Sequence, residues 1–561
     1  MQSPISSPTT NLTASPAVSQ IPADRNLSLH PTGVSLAIAL FFVLFDNASF
    51  FTAIQQTFIK PHLANLVFLL SLGLLLWLLT FIFVSLLMLP RIGKPLISML
   101  LITAACTAYF MDTYGIVIHR LMIQNLMETD TAEVHNLLNI HLLYYIVFLG
   151  IAPSFLLAKV SIGFSSIKTE IATRLIAIGV ALGICLALVF SMSADYASFF
   201  RNHKNIRQMA NPLNVIYAGI SYIGSNKNPV EILPIENDAA VKSWAKAQGK
   251  PTLFILVVGE TARSDHFSIN GYTRETTPLL AQQDIINFPQ VTSCGTETAV
   301  SVPCMFSVLG HNNYSDRKAK SQQGLLDVVH HAGIPVLWRD NNSNCKGACD
   351  RVDYEDMRQL QVPELCNDRE CFDAVLLHNL DEKVNASRGS KMIVLHQKGS
   401  HGPDYFNRYP PSMERFSPLC KSNQLQHCTT QEVVNAFDNT IAYTDYFLNS
   451  TIEWLKTKSR EYNTSLVYLS DHGESLGENH LYLHGMPYTI APKTQKQVPF
   501  LFWFSEDFKR ANKIDGNCLK KRQNQNFSHD NLFHTVLGLL NISTRIYSED
   551  LDIVKPCRQD S

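Results

Sequence analysis

The sequence has no excess of charge of either sign, and its first residues do not match a signal peptide. Its 46 Lys and Arg residues nearly balance 47 Asp and Glu residues, for a formal net charge of -1. A nucleic-acid partner usually requires a strongly basic face, so we expect none. The first apolar run begins beyond residue 31, without a nearby basic segment, and further apolar runs follow it. We therefore expect no cleavable signal peptide.

Charged residues are also scarce before residue 200, where long apolar runs dominate. Residues 1–30, rich in Ser, Pro, Thr and Asn, predict a disordered tail. A membrane-spanning helix needs roughly 20 apolar residues. The runs of that length are Gly33–Ile54, Leu63–Leu89, Leu96–Ile118, Ile140–Ala158 and Leu175–Met192. A buried helix of a soluble protein could explain one such run but not five in succession. Residues 31–195 therefore predict a five-span transmembrane domain.

The charges in the loops predict the orientation of these spans. The second and fourth loops carry the basic residues Arg91, Lys94, Lys159, Lys168 and Arg174. The third loop, residues 119–139, is amphipathic and carries several acidic side chains, so we expect it to lie along the membrane surface. Because basic loops remain in the cytoplasm, the tail is expected there. An odd number of spans then places everything after about residue 195 on the opposite side.

Cysteine is nearly absent from the apolar runs, which contain only Cys106 and Cys185 of the 12 cysteines. The other ten follow residue 290 and form pairs, most of them at short separations: Cys294/Cys304, Cys345/Cys349, Cys366/Cys371, Cys420/Cys428 and Cys518/Cys557. An even number of closely spaced cysteines predicts disulfides in an oxidising compartment. The alternative is a zinc–cysteine site at the Cys345/Cys349 pair, but no matching histidine or second close pair accompanies it.

Beyond a polar connector at residues 196–250, the pattern of residues 251–561 indicates an α/β domain. The short apolar runs are Thr252–Val258, Ile334–Trp338, Lys391–Leu395, Ser465–Ser470 and Val498–Phe504. The helical segments between and after them include Leu325–His331, Glu432–Lys456 and Asn531–Leu540. Continuous apolar strands separated by helices predict a parallel sheet covered on both faces. Ligands of such sheets bind beyond the carboxyl ends of the strands.

Potential metal ligands follow three of these predicted strands. Glu260 follows the first, His401 follows the third, and Asp471 with His472 follows the fourth; His484 comes slightly later. One such residue alone is more often a cap or a loop-fixing hydrogen bond. Three strands that all end in carboxylates or imidazoles are harder to explain structurally. They predict a site for a divalent cation such as Zn²⁺ or Mn²⁺.

A candidate nucleophile lies in the segment SCGTETAVSVPC, residues 293–304. Small residues, a hydroxyl residue and a run able to form a helix place Thr298 at a helix N-terminus. Free backbone N–H groups there favour an incoming phosphate. A bound metal ion is one way to activate a threonine hydroxyl. Thr298 could equally be an ordinary N-cap, and its position alone does not separate the two interpretations.

Five segments of the chain closely resemble the phosphoethanolamine transferases that modify lipid A, the family that includes the mobile colistin-resistance enzymes. They are VVGETARSDHFSINGY (257–272), SCGTETAVSVPCMFSVLG (293–310), LWRDNNSNCKG (337–347), LHQKGSHGPDYFNRY (395–409) and SDHGESLGENHLYLHGMP (470–487). The resemblance covers both halves of the chain. It implies five membrane spans followed by an alkaline-phosphatase/sulfatase-like α/β domain in the periplasm.

The resemblance also implies roles for individual residues. The implied zinc ligands are Glu260, Thr298, Asp471 and His472, with Thr298 as the nucleophile that becomes modified by phosphoethanolamine. The outer histidines, implicated in substrate handling, leaving-group protonation or a second zinc, are His401 and His484. The residues implied to hold the phosphoethanolamine group are Thr296, Asn342, Ser343 and Lys346. One departure is Asn313, a neutral residue near a position where some relatives carry an acid for the ethanolamine ammonium.

The implied activity is zinc-dependent transfer of phosphoethanolamine from phosphatidylethanolamine to a lipid A phosphate, in a monomeric enzyme of the bacterial inner membrane. Such transfer lowers the negative surface charge and the binding of polymyxin and other cationic peptides. Other acceptors, such as lipopolysaccharide core sugars or another glycan, remain open, as does transfer of glycerol phosphate. A sulfatase requires a C/S-x-P-x-R motif, whose arginine is absent from residues 294–304. A transporter or scaffold leaves the ligands at the strand ends unexplained.

Overall fold

The computed structural model describes residues 28–57, 63–128, 137–202, 206–225, 232–235, 238–246, 249–360, 362–367, 369–386 and 388–559. Residues 28–225 of this set form a membrane domain of apolar helices, and residues 238–559 form a C-terminal domain built on a large sheet. The predicted tail lies outside the described residues except for its last three positions. Parts of the predicted connector and of the third loop also lie outside them.

The membrane domain consists of long apolar helices joined by shorter ones. Their bounds are Pro31–Phe45, Ala48–Gln56, Leu63–Leu87, Gly93–Tyr114, Arg120–Glu128, Ile140–Tyr145, Ala152–Lys159, Ile167–Ser191, Ser193–Asn202 and Leu213–Ser225, with a π-helical turn at Ile146–Ile151 between the sixth and seventh. Four helices of the described part are long and apolar enough to cross a membrane. The pair Pro31–Phe45 and Ala48–Gln56, bent by 54°, makes a fifth if it counts as one span.

The first predicted span, Gly33–Ile54, is therefore not one continuous helix. The helix is interrupted at Asp46 and Asn47, two polar residues in the middle of the apolar run. The Asn47 side chain donates to the Phe42 carbonyl at 2.9 Å and to the Asn211 carbonyl at 2.8 Å. These hydrogen bonds stabilise the break, because a side chain replaces the backbone partners that a continuous helix would supply.

The predicted third span ends earlier than its apolar run. Gly115 has φ +70° and terminates the helix Gly93–Tyr114 with a bond from its N–H to the Met111 carbonyl. A glycine in the left-handed conformation is a common helix end because it has no Cβ to clash. The next helix, Arg120–Glu128, has only 9 residues and is too short to span a membrane. It lies against the C-terminal domain.

The C-terminal domain contains one eight-stranded sheet. Its strands lie in the order Phe527–Ser528, Ile285–Thr292, Gln497–Phe504, Asn463–Ser470, Thr252–Gly259, Lys391–His396, Val336–Asp340 and Asp353–Asp356. The predicted strands are all present, and the predicted parallel pairing holds for all neighbours except one strand. Gln497–Phe504 runs antiparallel to both of its neighbours. Two small sheets pair Ala240–Val241 with Ile542–Ser543 and Ser475–Leu476 with Tyr482–Leu483.

Helices cover both faces of this sheet, as the apolar strands predict. In the central strand, Phe254, Leu256 and Val258 face one core, and the alternate residues face the other. The helix Thr430–Lys458 covers one face and begins with a capping box. The helices Leu325–His331 and Asp530–Leu539 pack on the opposite face. The remaining α-helices are Ser243–Lys246, Thr298–Met305, Gly310–Asn313, Asp316–Lys320, Leu380–Asn385, Glu506–Ala511 and Gly516–Lys521.

All five predicted disulfides are present in the C-terminal domain. They join Cys294 to Cys304, Cys345 to Cys349, Cys366 to Cys371, Cys420 to Cys428 and Cys518 to Cys557. The zinc–cysteine alternative is wrong, because the two sulfurs of its candidate pair are bonded to each other. Cys106 and Cys185, in the membrane domain, are free thiols.

Candidate active site

Three potential metal ligands meet where two parallel strands end. Glu260 follows the strand Thr252–Gly259, and Asp471 and His472 follow its neighbour Asn463–Ser470. Because Gly259 pairs with Ser470, the residues immediately after both strands emerge side by side. One ligand atom from each of the three side chains lies within 4.8 Å of the others, and all three residues are completely buried.

The Thr298 hydroxyl belongs to the same cluster. Thr298 begins the helix Thr298–Met305, as predicted, and its Oγ1 donates to Glu260 Oε2 at 3.0 Å. The same oxygen lies 3.3 Å from His472 Nε2. The turn before the helix requires Gly295, because a Cβ there would lie 2.9 Å from a methyl carbon of Val300. The disulfide between Cys294 and Cys304 ties this turn to the end of the helix.

The donor atoms of this cluster fit a divalent cation. Asp471 Oδ2 is buried, has no hydrogen-bond partner and lies 3.3 Å from His472 Nε2. His472 Nδ1 lies 2.9 Å from the Gly473 carbonyl and so carries the ring proton, which leaves a lone pair on Nε2. Two acceptors therefore face each other, and a cation between them would satisfy both. Carboxylate, hydroxyl and imidazole donors are a set that Zn²⁺ accepts.

The pKa values of Asp471 and His472 also indicate that the cluster needs a cation. Burial, and then repulsion from Glu260, raise the pKa of Asp471 well above its usual value. Burial lowers the pKa of His472 to about 4, so the imidazole is neutral. Two buried carboxylates beside a neutral imidazole are costly without a compensating cation. The cluster is therefore suited to binding a metal rather than to stabilising the fold.

A second set of residues holds Glu260 in place. Asn342 donates from Nδ2 to Glu260 Oε2 at 2.7 Å and to the Gln397 carbonyl at 3.0 Å. The predicted phosphoethanolamine ligand Asn342 thus contacts a predicted metal ligand. The loop after the strand Lys391–His396 also touches Glu260. Its Gly399 has φ +53°, and a Cβ there would lie 2.6 Å from the Glu260 carbonyl oxygen. Asp373, which no sequence pattern marks, fixes this loop by accepting the Gly399 N–H at 3.0 Å.

Replacing Gly399 with alanine is expected to displace Glu260 and to lower activity and metal affinity by about 10–100-fold, as for other supports of metal ligands. The control is Gly389→Ala, at a glycine with φ +99° whose added Cβ would meet open space. This control should cost only about 1 kcal/mol of stability. Bound metal and transfer activity are measured for both variants. Equal activities of the two variants would contradict the role assigned to Gly399.

The outer histidines lie next to the cluster. The ring centroids of His401 and His484 are 5.6 Å apart, and those of His472 and His484 are 4.3 Å apart. His484 Nδ1 lies 2.8 Å from Glu474 Oε2, and the Tyr405 hydroxyl donates to the other oxygen of Glu474 at 2.7 Å. Burial raises the pKa of Glu474 to about 8. These contacts fix the orientation of His484. No pattern in the sequence predicts that Glu474 orients His484.

The other residues predicted to hold phosphoethanolamine occupy different positions. Thr296 donates to the Met486 carbonyl at 2.6 Å and so fixes the turn before Thr298. Ser343 and Lys346 follow the strand Val336–Asp340 and line the same cavity as Thr298. Asn313 is an exposed residue at the end of the helix Gly310–Asn313. Of the predicted set, Ser343 and Lys346 are thus placed to contact a substrate at Thr298.

The cavity at Thr298 has a volume of about 260 Å³ and lies between the two domains. Its polar end contains Thr298, Ser343, Lys346, His401 and His484. Its opposite wall comes from the membrane domain, mainly from the helices Gly93–Tyr114 and Arg120–Glu128. The side chains of that wall include Thr107, Phe110, Ile116, Ile118, Met122, Ile123 and Leu126. The cavity is thus apolar toward the membrane helices and polar toward Thr298.

Both halves of the chain match known protein families. The family described as "Sulfatase" matches residues 252–542, and the family described as "Phosphoethanolamine transferase EptA/EptB" matches residues 76–226. The phosphoethanolamine transferase EptA of Escherichia coli K12 is 41% identical over 532 residues, which cover 94% of this chain and 97% of the relative. The phosphatidylethanolamine transferase Mcr-1 of E. coli is 42% identical over 490 residues, covering 85% of this chain and 90% of the relative.

A solved structure is similar to this chain in both domains. The lipooligosaccharide phosphoethanolamine transferase A of Neisseria meningitidis, an integral membrane protein, superposes with a TM-score of 0.92 at 36% identity. The superposition covers 95% of this chain and 100% of that protein. Both the membrane domain and the sulfatase-like domain are therefore shared. The chain belongs to the phosphoethanolamine transferase family.

Proposed function

We propose that the protein transfers phosphoethanolamine from phosphatidylethanolamine to a phosphate of lipid A, through a covalent intermediate on Thr298. The observation that carries this proposal is the cavity between the domains, which joins apolar membrane helices to the Thr298 hydroxyl. A diacyl lipid leaves the bilayer only at a cost of about 0.8 kcal/mol per exposed methylene. A site that opens toward the membrane helices avoids much of this cost, since the acyl chains stay in apolar surroundings.

In the first step, the Thr298 oxygen attacks the donor phosphorus and diacylglycerol leaves. The Thr298 hydroxyl already donates to Glu260 Oε2, which gives its proton an acceptor. His401 or His484, at the polar end of the cavity, protonates the departing oxygen of diacylglycerol. Zn²⁺ held by Glu260, Thr298, Asp471 and His472 would lower the pKa of the hydroxyl and attract charge from the phosphoryl oxygens.

In the second step, a phosphate oxygen of lipid A attacks the phosphorus of the adduct and releases the Thr298 oxygen, which regains its proton from Glu260. Each transfer adds a positively charged ammonium group to an anionic lipid. The cell surface therefore loses net negative charge and binds polymyxin and other cationic peptides less tightly. The Neisseria relative, whose name gives lipooligosaccharide as its acceptor, supports this class of acceptor. Core sugars of lipopolysaccharide or another glycan are the alternative acceptors.

We further propose that the protein is a monomer of the bacterial inner membrane, with the C-terminal domain in the periplasm. The five disulfides of the C-terminal domain support this placement, because disulfides persist in oxidising compartments. The membrane domain alone has free thiols among the described cysteines. Accessibility of single introduced cysteines to an impermeant thiol reagent in intact cells measures the orientation.

The test of the function uses the purified full-length protein with labelled phosphatidylethanolamine or labelled phosphatidylglycerol. We expect transfer and a labelled protein adduct with the first donor only. Mass spectrometry of lipid A from cells with and without the gene then identifies the acceptor. Labelling by phosphatidylglycerol alone would instead support glycerol-phosphate transfer. Lipid A that remains unmodified while core sugars are modified would refute lipid A as the acceptor.

Narrowing the cavity should weaken binding of the donor lipid. Thr107 is buried and lines the cavity from the helix Gly93–Tyr114. In the Thr107→Phe variant we expect KM for long-chain phosphatidylethanolamine to rise by about tenfold, which corresponds to about 1.4 kcal/mol of lost binding free energy. The matched control is Met99→Phe on the same helix, at a residue that is 67% exposed and lies outside the cavity lining. Identical kinetics of the two variants would exclude this cavity as the donor site.

A further inference from the structure

A second cavity, with a volume of about 410 Å³, adjoins the cavity at Thr298. We call it the side pocket. Its wall comes from the end of the helix Thr298–Met305 and the residues after it, from the segment 319–324, and from the loop after the strand Val336–Asp340. Lys346, in that loop, lines both cavities. The side pocket and the Thr298 cavity therefore meet at this side chain.

The loop that carries Lys346 has a fixed backbone. Asn344 has φ +73° and Lys346 has φ +51°. In this conformation Asn344 Oδ1 accepts the Lys346 N–H at 2.8 Å, and Asp340 Oδ1 accepts the Asn344 N–H at 3.2 Å. The disulfide between Cys345 and Cys349 closes the loop. The backbone at Lys346 is thus positioned at the boundary of the two cavities before any ligand binds.

The charges around the side pocket favour an anionic ligand. Its lining includes the basic residues Lys320, Lys346 and Arg351 and the acidic residue Asp350. Arg351 forms an ion pair with Asp327 at 2.6 Å, which offsets its charge. A net positive charge remains, and it belongs to lysine ammonium groups, which are common partners of phosphate.

The neutral part of the lining suits a sugar. Gln322, Gln323 and Asn344 have amide groups that can donate and accept hydrogen bonds, as sugar hydroxyls require. Within the described part of the chain, Gln322 Nε2 and Gln323 Oε1 have no hydrogen-bond partner, so both amides retain unused hydrogen-bonding capacity. Pro303 and Phe306 add apolar surface, against which the C–H groups of a sugar ring can pack. The combination of amide, ammonium and apolar groups therefore fits a phosphorylated sugar.

The side pocket also lies close to the membrane domain. The helix Asp316–Lys320 ends at its rim. Asp316 of this helix accepts a hydrogen bond from Arg120 at 3.0 Å. Arg120 begins the helix Arg120–Glu128, which forms part of the apolar wall of the Thr298 cavity. A glycolipid whose acyl chains remain in the bilayer can therefore present its sugar headgroup at this pocket.

We propose that the side pocket binds the phosphorylated sugar headgroup of the acceptor and directs its phosphate past Lys346 toward the adduct on Thr298. The reaction is the second step described above, in which an acceptor phosphate oxygen bonds to the phosphorus and the Thr298 oxygen leaves. The donor needs apolar surroundings for its acyl chains, whereas the acceptor headgroup is polar and bulky. Two adjoining cavities of different character meet these two needs. This inference rests on the proposed transfer reaction and identifies where its acceptor binds.

The experiment measures the two steps of transfer separately in the full-length protein. The adduct is first formed with labelled phosphatidylethanolamine, and lipid A in detergent micelles is then added while the label moves from protein to lipid A. Ala319→Trp narrows the side pocket, and Lys320→Gln removes one of its positive charges. For both variants we expect kcat/KM for lipid A to fall by about tenfold, while adduct formation stays within about twofold of the wild type.

Matched controls come from Lys318, an exposed residue on the same helix that lies outside the pocket lining. Lys318→Trp adds the same ring, and Lys318→Gln removes the same charge. We expect both control variants to form the adduct and to transfer it to lipid A at wild-type rates. Melting temperatures of all four variants identify any loss of activity that comes from unfolding. Lys320→Gln keeps the test informative if Ala319→Trp does not fold, because Lys320 is exposed.

Three results would overturn the proposal. The first is adduct formation that slows as much as transfer to lipid A, which would make the pocket part of the donor site. The second is transfer to lipid A at the wild-type rate in both side-pocket variants. The third is an equal loss of transfer in the Lys318 controls. If the wild type forms no adduct, or transfers it to no acceptor, the proposed function fails. If the wild type is active and the side-pocket variants match it, only this inference fails.

Discussion

Replacing Thr298 with alanine is expected to abolish both the covalent adduct and phosphoethanolamine transfer. The Thr298 hydroxyl is the oxygen that donates to Glu260 at 3.0 Å and lies 3.3 Å from His472. Alanine keeps the start of the helix but removes the attacking atom. We expect activity to fall by about 10³-fold or more, as is usual when a covalent nucleophile is lost. Intact-protein mass spectrometry after incubation with phosphatidylethanolamine detects the adduct directly.

The Thr298→Ser variant is the control for this experiment. Serine retains a hydroxyl at the same place, so the adduct should still form, although more slowly because the extra rotamer freedom loosens its position. Zinc content of both variants shows whether the other ligands still hold the metal. If the Thr298→Ala protein still formed an adduct, the nucleophile would be another residue. A Thr298→Ser protein without adduct would show that the hydroxyl alone is insufficient.

Much of the sheet could be predicted because burial on both faces leaves a local signature. The central strand Thr252–Gly259 is apolar throughout, and both of its faces meet buried cores. The direction of Gln497–Phe504 could not be predicted, since an apolar strand has the same composition whether it runs parallel or antiparallel. The strand Ile285–Thr292 was missed because it contains Asn287, Pro289 and Gln290 and is only partly buried. The polar edge strands Asp353–Asp356 and Phe527–Ser528 were missed for a similar reason.

The meeting of the candidate metal ligands could be predicted more readily than the groups that support them. Glu260, Asp471 and His472 each follow directly after an apolar strand, so sequence and sheet geometry bring them to one edge. No comparable sequence pattern identifies the residues that support them. Asp373 reaches the Gly399 loop from a 3₁₀ turn that no apolar pattern marks. Only the folded chain shows this contact.

Replacing Asp471 with asparagine is expected to remove bound zinc and activity together. In the structure Asp471 Oδ1 accepts the Thr261 N–H at 3.0 Å and the His472 N–H at 2.7 Å, whereas Oδ2 has no hydrogen-bond partner. Asparagine can keep the first oxygen where it is, which places its NH₂ group where Oδ2 lay. A donor group then faces the metal position, and one negative charge is lost. We expect zinc content, measured by mass spectrometry of the element, to fall by at least about tenfold.

A control must separate loss of metal from loss of fold. Asp445, in the helix Thr430–Lys458, is also fully buried and accepts the Leu279 and Leu280 N–H groups. Asp445→Asn should lower the melting temperature while zinc remains bound. In metal-free protein, Asp471→Asn should raise the melting temperature, because it removes repulsion between two buried carboxylates. Normal zinc content in Asp471→Asn, or a lower melting temperature than metal-free wild type, would show that this carboxylate serves the fold and not the metal.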